Sequence, residues 1–96
     1  MKIAGFNWDR GNWPKCGKHG VTKEEIEEFF QNLPVVVMPD PHTEEPRMRA
    51  IGKTRAGRYV FLVFMFRLLD GQTFIRPISA RYMHQTEVDH YEKTRT

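Results

Sequence analysis

Two sets of side chains in this 96-residue sequence are equipped for chemistry on a phosphate. One is Lys18-His19-Gly20, a cation and an imidazole set against the start of a helix. Imidazole changes charge near neutral pH. An adjacent ammonium favours its neutral form, which suits a proton acceptor. Gly20 permits the positive φ of a sharp turn into a helix. The other set is arginine. From Arg47 to Met83 there are eight bases and one acid, Asp70, and seven of the eight are arginine. From Thr22 to Glu45 the balance reverses, with seven acids against Lys23. Arginine presents a planar fork of donors that matches phosphate geometry. The net charge of +3 therefore hides a basic half that points to a polyanion partner. Water-facing strand positions filled with arginine would give the same pattern, and both readings stay open.

The elements that must position these groups follow from periodicity and punctuation. "KIAGFNW" is a short first strand or an extended arm. A short helix is expected around Pro14 to Lys18, with Pro14 at its first position. Thr22 and Glu25 form a capping box, and Val21 and Ile26 a hydrophobic staple. Ile26, Phe29, Phe30 and Leu33 make one apolar helix stripe, while Glu24, Glu27 and Glu28 face water. Pro34 ends that helix. "VVVM" is a short strand, "PDPHTEEP" a loop, "RMRAIGK" a strand and "TRAG" a hairpin turn. "RYVFLVFMFR" is apolar on both faces and is a central strand with an arginine at each end. Asp70-Gly71 is a hairpin signal. "TFIRPIS" follows, with Pro77 requiring an edge or a bulge. A final helix is expected with Thr86 as cap and Asp89 at its third position. The sum is one α+β domain over residues 1–96: a twisted antiparallel sheet of four to five strands, helices on one face. Arg58 and Arg67 bracket the central strand, and Arg49, Arg76 and Arg81 come from adjoining segments. Side chains of one parity on neighbouring strands share a sheet face, where such a cluster would clamp a phosphate.

Other chemistries find little support. One cysteine, Cys16, allows no intramolecular disulfide, which fits a reducing compartment. No apolar leader or membrane-length run is present, so a cytoplasmic location is expected. Cys16-x-x-His19 is half of a metal site, and His84 and His90 offer no second half at a standard spacing, so no metal or other cofactor is expected. No phosphate-cradling glycine loop and no nucleophile elbow occurs. Trp8, Trp13 and Tyr82 are able to stack on bases, although Trp8 also suits a place against the sheet. Read this far, the residues leave a metal-independent nuclease and a plain nucleic-acid-binding module level.

Five segments together resemble the BrnT toxins of bacterial type II toxin–antitoxin systems. They are "FNWD", "KHGV" before an acidic helix, "RAIGKTRAGR", the apolar strand ending in Arg67, and "ISAR" followed by Glu87 and Tyr91. They run in family order from Phe6 to Tyr91. Tyr82-Met83-His84 departs from the family by replacing a small residue after "ISAR". The resemblance implies a RelE-like fold and a ribonuclease that cuts RNA without metal, inhibiting translation and growth. It implies a small BrnA-like antitoxin with a ribbon-helix-helix domain, the complex binding operator DNA, with a heterotetramer as one assembly. On this basis Arg67 and Arg81 are expected at the phosphate and His19 with Lys18 in proton transfer. Arg49, Arg58, Trp8 and His84 are expected to bind substrate. A non-catalytic RNA-binding or antitoxin-binding domain of the same fold is the alternative.

Overall fold

The computed structural model describes residues 2–31, 36–39 and 46–94. Strand β1 is Gly5–Phe6, and a single 3-10 turn covers Lys15–Gly17. Helix α1 is Lys23–Gln31, followed by β2 (Val36–Pro39), β3 (Arg47–Lys53), β4 (Tyr59–Leu69), β5 (Gln72–Tyr82) and helix α2 (Gln85–Thr94). The five strands form one sheet in the order β1-β5-β4-β3-β2. Leu33, Pro34, Val35 and most of the "PDPHTEEP" loop, including Glu44 and Glu45, lie outside the described residues.

The apolar strand is central, as its composition requires. Val60, Leu62 and Phe64 are buried on one face of β4, while Phe61, Val63 and Met65 on the other stay partly exposed. The β4–β5 turn has Asp70 at φ 51° and Gly71 at φ 75°, the two positive-φ positions of a tight hairpin. Pro77 sits at a register shift opposite Phe64, so its missing N–H falls at a bulge. Its carbonyl accepts from Asn12 Nδ2 at 2.9 Å. Buried Asn12 also donates to the Asn7 carbonyl and accepts from the Asp9 N–H, which pins the N-terminal loop to β5.

Helix α1 begins as expected. Thr22 Oγ1 accepts from the Glu25 N–H and Glu25 Oε1 from the Thr22 N–H, both at 3.1 Å. Val21, Ile26 and Phe29 are buried in the core formed with Leu62, Phe64 and Ile75. Glu27 is not simply a solvent-facing acid, since it accepts from Trp8 Nε1 at 3.0 Å.

Two expectations are corrected. The sheet is mixed, because β1 runs parallel to β5. A return to the β5 edge from the N-terminal arm is a long-range pairing that local pattern does not encode. The helices also do not share one face. Glu25 of α1 meets Tyr82, whose register partner Val60 faces the core. Tyr91 and Glu87 of α2 meet Tyr59 and Arg81, which have the opposite parity. α2 also begins at Gln85, two residues earlier than a Thr86 cap would set. His84 is its cap, with its N–H donating to Glu87 Oε1 at 2.9 Å and its carbonyl accepting from Val88. Among the described residues, no helix is long and apolar enough to cross a membrane.

The close approach of α1 to β3 gives a direct test. A Cβ on Gly52 would lie 2.9 Å from Phe29 Cε2, and both residues are buried. Overpacking of this kind costs about 1–3 kcal/mol, more than the gain from replacing a strand glycine. Gly52→Ala should lower the urea midpoint accordingly; an unchanged midpoint would show that Phe29 moves freely.

Candidate functional site

The expected site residues do not gather at one point. Arg49, Arg67, Arg76 and Arg81 do share the sheet face opposite α1, by register with Val63, Phe74, Met65 and Phe61. Arg67 and Arg81 are nonetheless six β4 positions apart, about 20 Å along the strand. They cannot grip the same phosphate. Two of these arginines are also already engaged. Arg76 Nη1 donates to Asn7 Oδ1 at 2.8 Å, and Nη1 and Nη2 pair with the two Asp9 carboxylate oxygens at 3.0 Å. Arg81 pairs with both Glu87 oxygens at 2.7 and 2.8 Å, its guanidinium 4.9 Å from the Phe61 ring. Trp8 is packed and bonded, edge-on to Trp13 at 5.3 Å with Lys23 Nζ over both rings.

A different corner brings chemistry together. The β3–β4 turn closes through Gly57, at φ 84°, with the Gly57 N–H donating to the Thr54 carbonyl. Buried Thr54 also exchanges bonds with the Arg58 backbone, which fixes where the Arg58 side chain departs. Arg58 is exposed, and its guanidinium carbon lies over the Tyr82 ring, 3.3 Å from the centroid. Tyr82 in turn donates to Glu25 Oε1 at 2.6 Å, and its hydroxyl is 3.4 Å from the Gly20 carbonyl. Gly20 has φ 94°, the conformation for which a glycine was expected there. Exposed Lys18 and His19 immediately precede it, in the turn that leads into α1. A concavity of about 310 Å³ opens beside this group, lined by Arg58, Tyr59, Tyr82, Met83, Gln85 and Val88. Exposed His84 stands between two of the lining residues in the chain.

The electrostatics separate supporting roles from available ones. Burial pushes the Glu25 carboxyl up, but donation from Tyr82 and Thr22 outweighs it and keeps the group below its ordinary range. Burial raises the Tyr82 phenol, and its bond to the Glu25 carboxylate raises it further. Tyr82 is thus a committed donor that holds a ring in place. Arg58 has its planar donor edge left to use. Cys16 is buried, and burial pushes its thiol up to about 11. Among the described residues no three metal-ligating side chains gather.

Sequence reasoning named Lys18, His19 and Arg58 but not the link by which Tyr82 joins the Arg58 guanidinium to the Gly20 carbonyl. It missed Glu25 as the anchor of Tyr82, Glu87 as the partner of Arg81, and Asp9 as the partner of Arg76. The capping-box role of Glu25 concealed its second bond. Glu87, six residues after Arg81, was visible only as a spacing.

The Arg81–Glu87 pair has a pH signature. Arg81 donation, followed by the His84 N–H, lowers the Glu87 carboxyl to about 2. A depressed carboxyl contributes stability above its unfolded value, near the ordinary 4.5, and loses it as pH falls through the folded value. Hydrogen-exchange protection of α2 should therefore decline between pH 4.5 and about 2. Arg81→Ala should return the Glu87 titration, followed by carboxyl NMR, toward the ordinary 4.5. An unchanged midpoint would contradict the assignment.

The chain matches the family model described as ribonuclease toxin, BrnT, of type II toxin–antitoxin system, over residues 8–87. No curated protein matches it.

Proposed function

The chain belongs to the BrnT family of ribonuclease toxins of type II toxin–antitoxin systems, and from that premise we propose that it is a metal-independent endoribonuclease whose cleavage site is the Arg58–Tyr82 corner. The observation that carries this reading is the guanidinium stacked at 3.3 Å on a tyrosine that Glu25 holds at 2.6 Å. A flat guanidinium fixed by a ring, with its donor edge exposed, suits two oxygens of a phosphodiester.

The chemistry needs no co-reactant. A 2′-hydroxyl attacks the adjacent phosphorus, and a base takes its proton. The bond to the 5′-oxygen breaks, and that oxygen receives a proton. The products are a 2′,3′-cyclic phosphate and a 5′-hydroxyl. Arg58 stabilises the charge that builds on the phosphoryl oxygens. His19 moves the proton, with Lys18 drawing the backbone of the RNA toward the turn. Tyr82 keeps the guanidinium plane, and Glu25 keeps Tyr82. His84, between the lining residues Met83 and Gln85 in the chain, meets the flanking nucleotide. Arg67 and Arg49 lie on the opposite sheet face and take no part in the bond-breaking step. Arg81 positions α2 through Glu87 and does not ligate the phosphate.

The partner reading belongs to the same proposal. Growth arrest in the cytoplasm is relieved by a ribbon-helix-helix antitoxin of the BrnA kind. The complex, in a heterotetramer, binds operator DNA. The RelE-like relationship of the fold is likewise part of this reading.

Arg58→Ala should lower cleavage of a labelled RNA about 100- to 1,000-fold and abolish growth arrest on induction, with the fold intact by circular dichroism. Wild-type cleavage should persist in EDTA. Full toxicity in a folded Arg58→Ala variant would remove the corner as the site. Loss of cleavage in EDTA, restored by a divalent cation, would remove metal independence.

A further inference from the structure

The sheet face opposite α1 has a composition that cleavage at the corner does not use. Its floor along β4 is Val63 and Met65, both partly exposed and outside the buried core cluster. Arg49 stands beside Val63 on β3, and Arg67 lies two β4 positions beyond Met65. Ser79 faces Val63 from β5. At one end α2 closes the face through Tyr91 on Tyr59. At the other it runs out past Arg67 and Phe74.

Two of its cations, Arg49 and Arg67, are poorly satisfied. Arg49 Nε is buried without a hydrogen-bond partner, and Arg49 Nη2 donates to a thioether, Met38 Sδ, at 3.7 Å. Sulfur is a weak acceptor, and a buried guanidinium N–H without an oxygen acceptor is costly. Among the described residues Arg67 has no ion pair or hydrogen bond. Its nearby acid is Asp9, whose carboxyl Arg67 helps to lower but which is bonded to Arg76.

We propose that this face is the docking surface for the antitoxin, which lays on it an amphipathic helix whose apolar stripe covers Val63 and Met65 and whose flanking carboxylates reach Arg49 and Arg67. The proposal rests on the family reading only for the identity of the partner. Two features favour a polypeptide over RNA. The floor is aliphatic, whereas single-stranded nucleic acid is held on successive aromatic rings. The partly exposed aromatics here are spread apart, Phe74 at the far end, Phe61 against the Arg81 guanidinium and Tyr59 against Tyr91. The stretch from Phe61 to Arg67 is about 20 Å, the length of roughly 13 helical residues. An apolar strip rimmed by cations complements a helix of apolar face and acidic edges. The surface is separate from the corner, so antitoxin is held by groups that RNA cleavage does not need.

The test measures binding of the full-length antitoxin of the same pair to Met65→Glu and Arg67→Glu variants, with cleavage of a labelled RNA by the free Met65→Glu protein. The expected result is antitoxin affinity weakened roughly 100-fold in each variant, with Met65→Glu cleaving at the wild-type rate. Unchanged antitoxin affinity in folded variants would overturn the proposal. So would weakened binding of a 2′-deoxy oligonucleotide to Met65→Glu with antitoxin binding intact, which would give the face to nucleic acid. Arg67 lies near the strand end, so its variant reports even where Met65→Glu fails to fold. A wild-type chain that cleaves no RNA, yet loses antitoxin on Arg67→Glu, would sink the ribonuclease reading and leave this surface standing.

Discussion

The carboxylate of Glu25 ties the two halves of the molecule together. Its Oε1 accepts from the Thr22 N–H at the start of α1 and from the Tyr82 phenol at the end of β5. A helix start is thereby fixed to a strand end 57 residues away in sequence. The consequence reaches the surface. Tyr82 held in this way offers its ring to Arg58, whose own departure point is set by Thr54 in the β3–β4 turn. The Lys18-His19-Gly20 turn then has one place to lie, with the Gly20 carbonyl near the same hydroxyl. Burial alone would raise the Glu25 carboxyl, and the two donors reverse that. The acid stays ionised and the anchor stays strong.

Charge on this sequence is divided between architecture and recognition. Arg76 and Arg81 look like phosphate ligands by type, yet each is saturated by a carboxylate of the same chain. Arg76 fastens the N-terminal loop through Asp9 and Asn7. Arg81 fastens α2 through Glu87. An arginine already in a bidentate pair has two of its five N–H donors and much of its charge committed to that carboxylate. That commitment, rather than distance alone, separates these two from Arg58, which is stacked on Tyr82. Arg49 and Arg67 form a third group, on a face with an aliphatic floor.

Much of the local structure was legible because its causes are local. The capping box at Thr22 and Glu25, the Asp70-Gly71 turn, the bulge at Pro77 and the central place of "YVFLVFMF" each depend on a few neighbouring residues. The parallel pairing of β1 with β5 was not legible, since two residues, Gly5 and Phe6, carry it. Nor was the placement of α2 on the face opposite α1. Its amphipathic pattern is weak, and Tyr91 finds its partner in Tyr59 through tertiary contact. For the candidate site, residue types at Lys18, His19 and Arg58 were readable. Strand parity brings Arg49, Arg67, Arg76 and Arg81 to one face and leaves Arg58 off it, but parity says nothing about which acids they meet. Asp9 and Glu87 decide that, one from the N-terminal loop and one from α2.

The claim that RNA is cut at the Arg58–Tyr82 corner can be read without catalysis. A 2′-deoxy oligonucleotide, which binds but lacks the attacking hydroxyl, would be titrated into isotope-labelled protein while amide NMR shifts are followed. The account predicts saturable shifts at Gly20, Glu25, Gly57, Arg58 and Tyr82, with Arg49, Val63, Met65 and Arg67 unmoved. Shifts confined to the second group, with the corner silent, would contradict it.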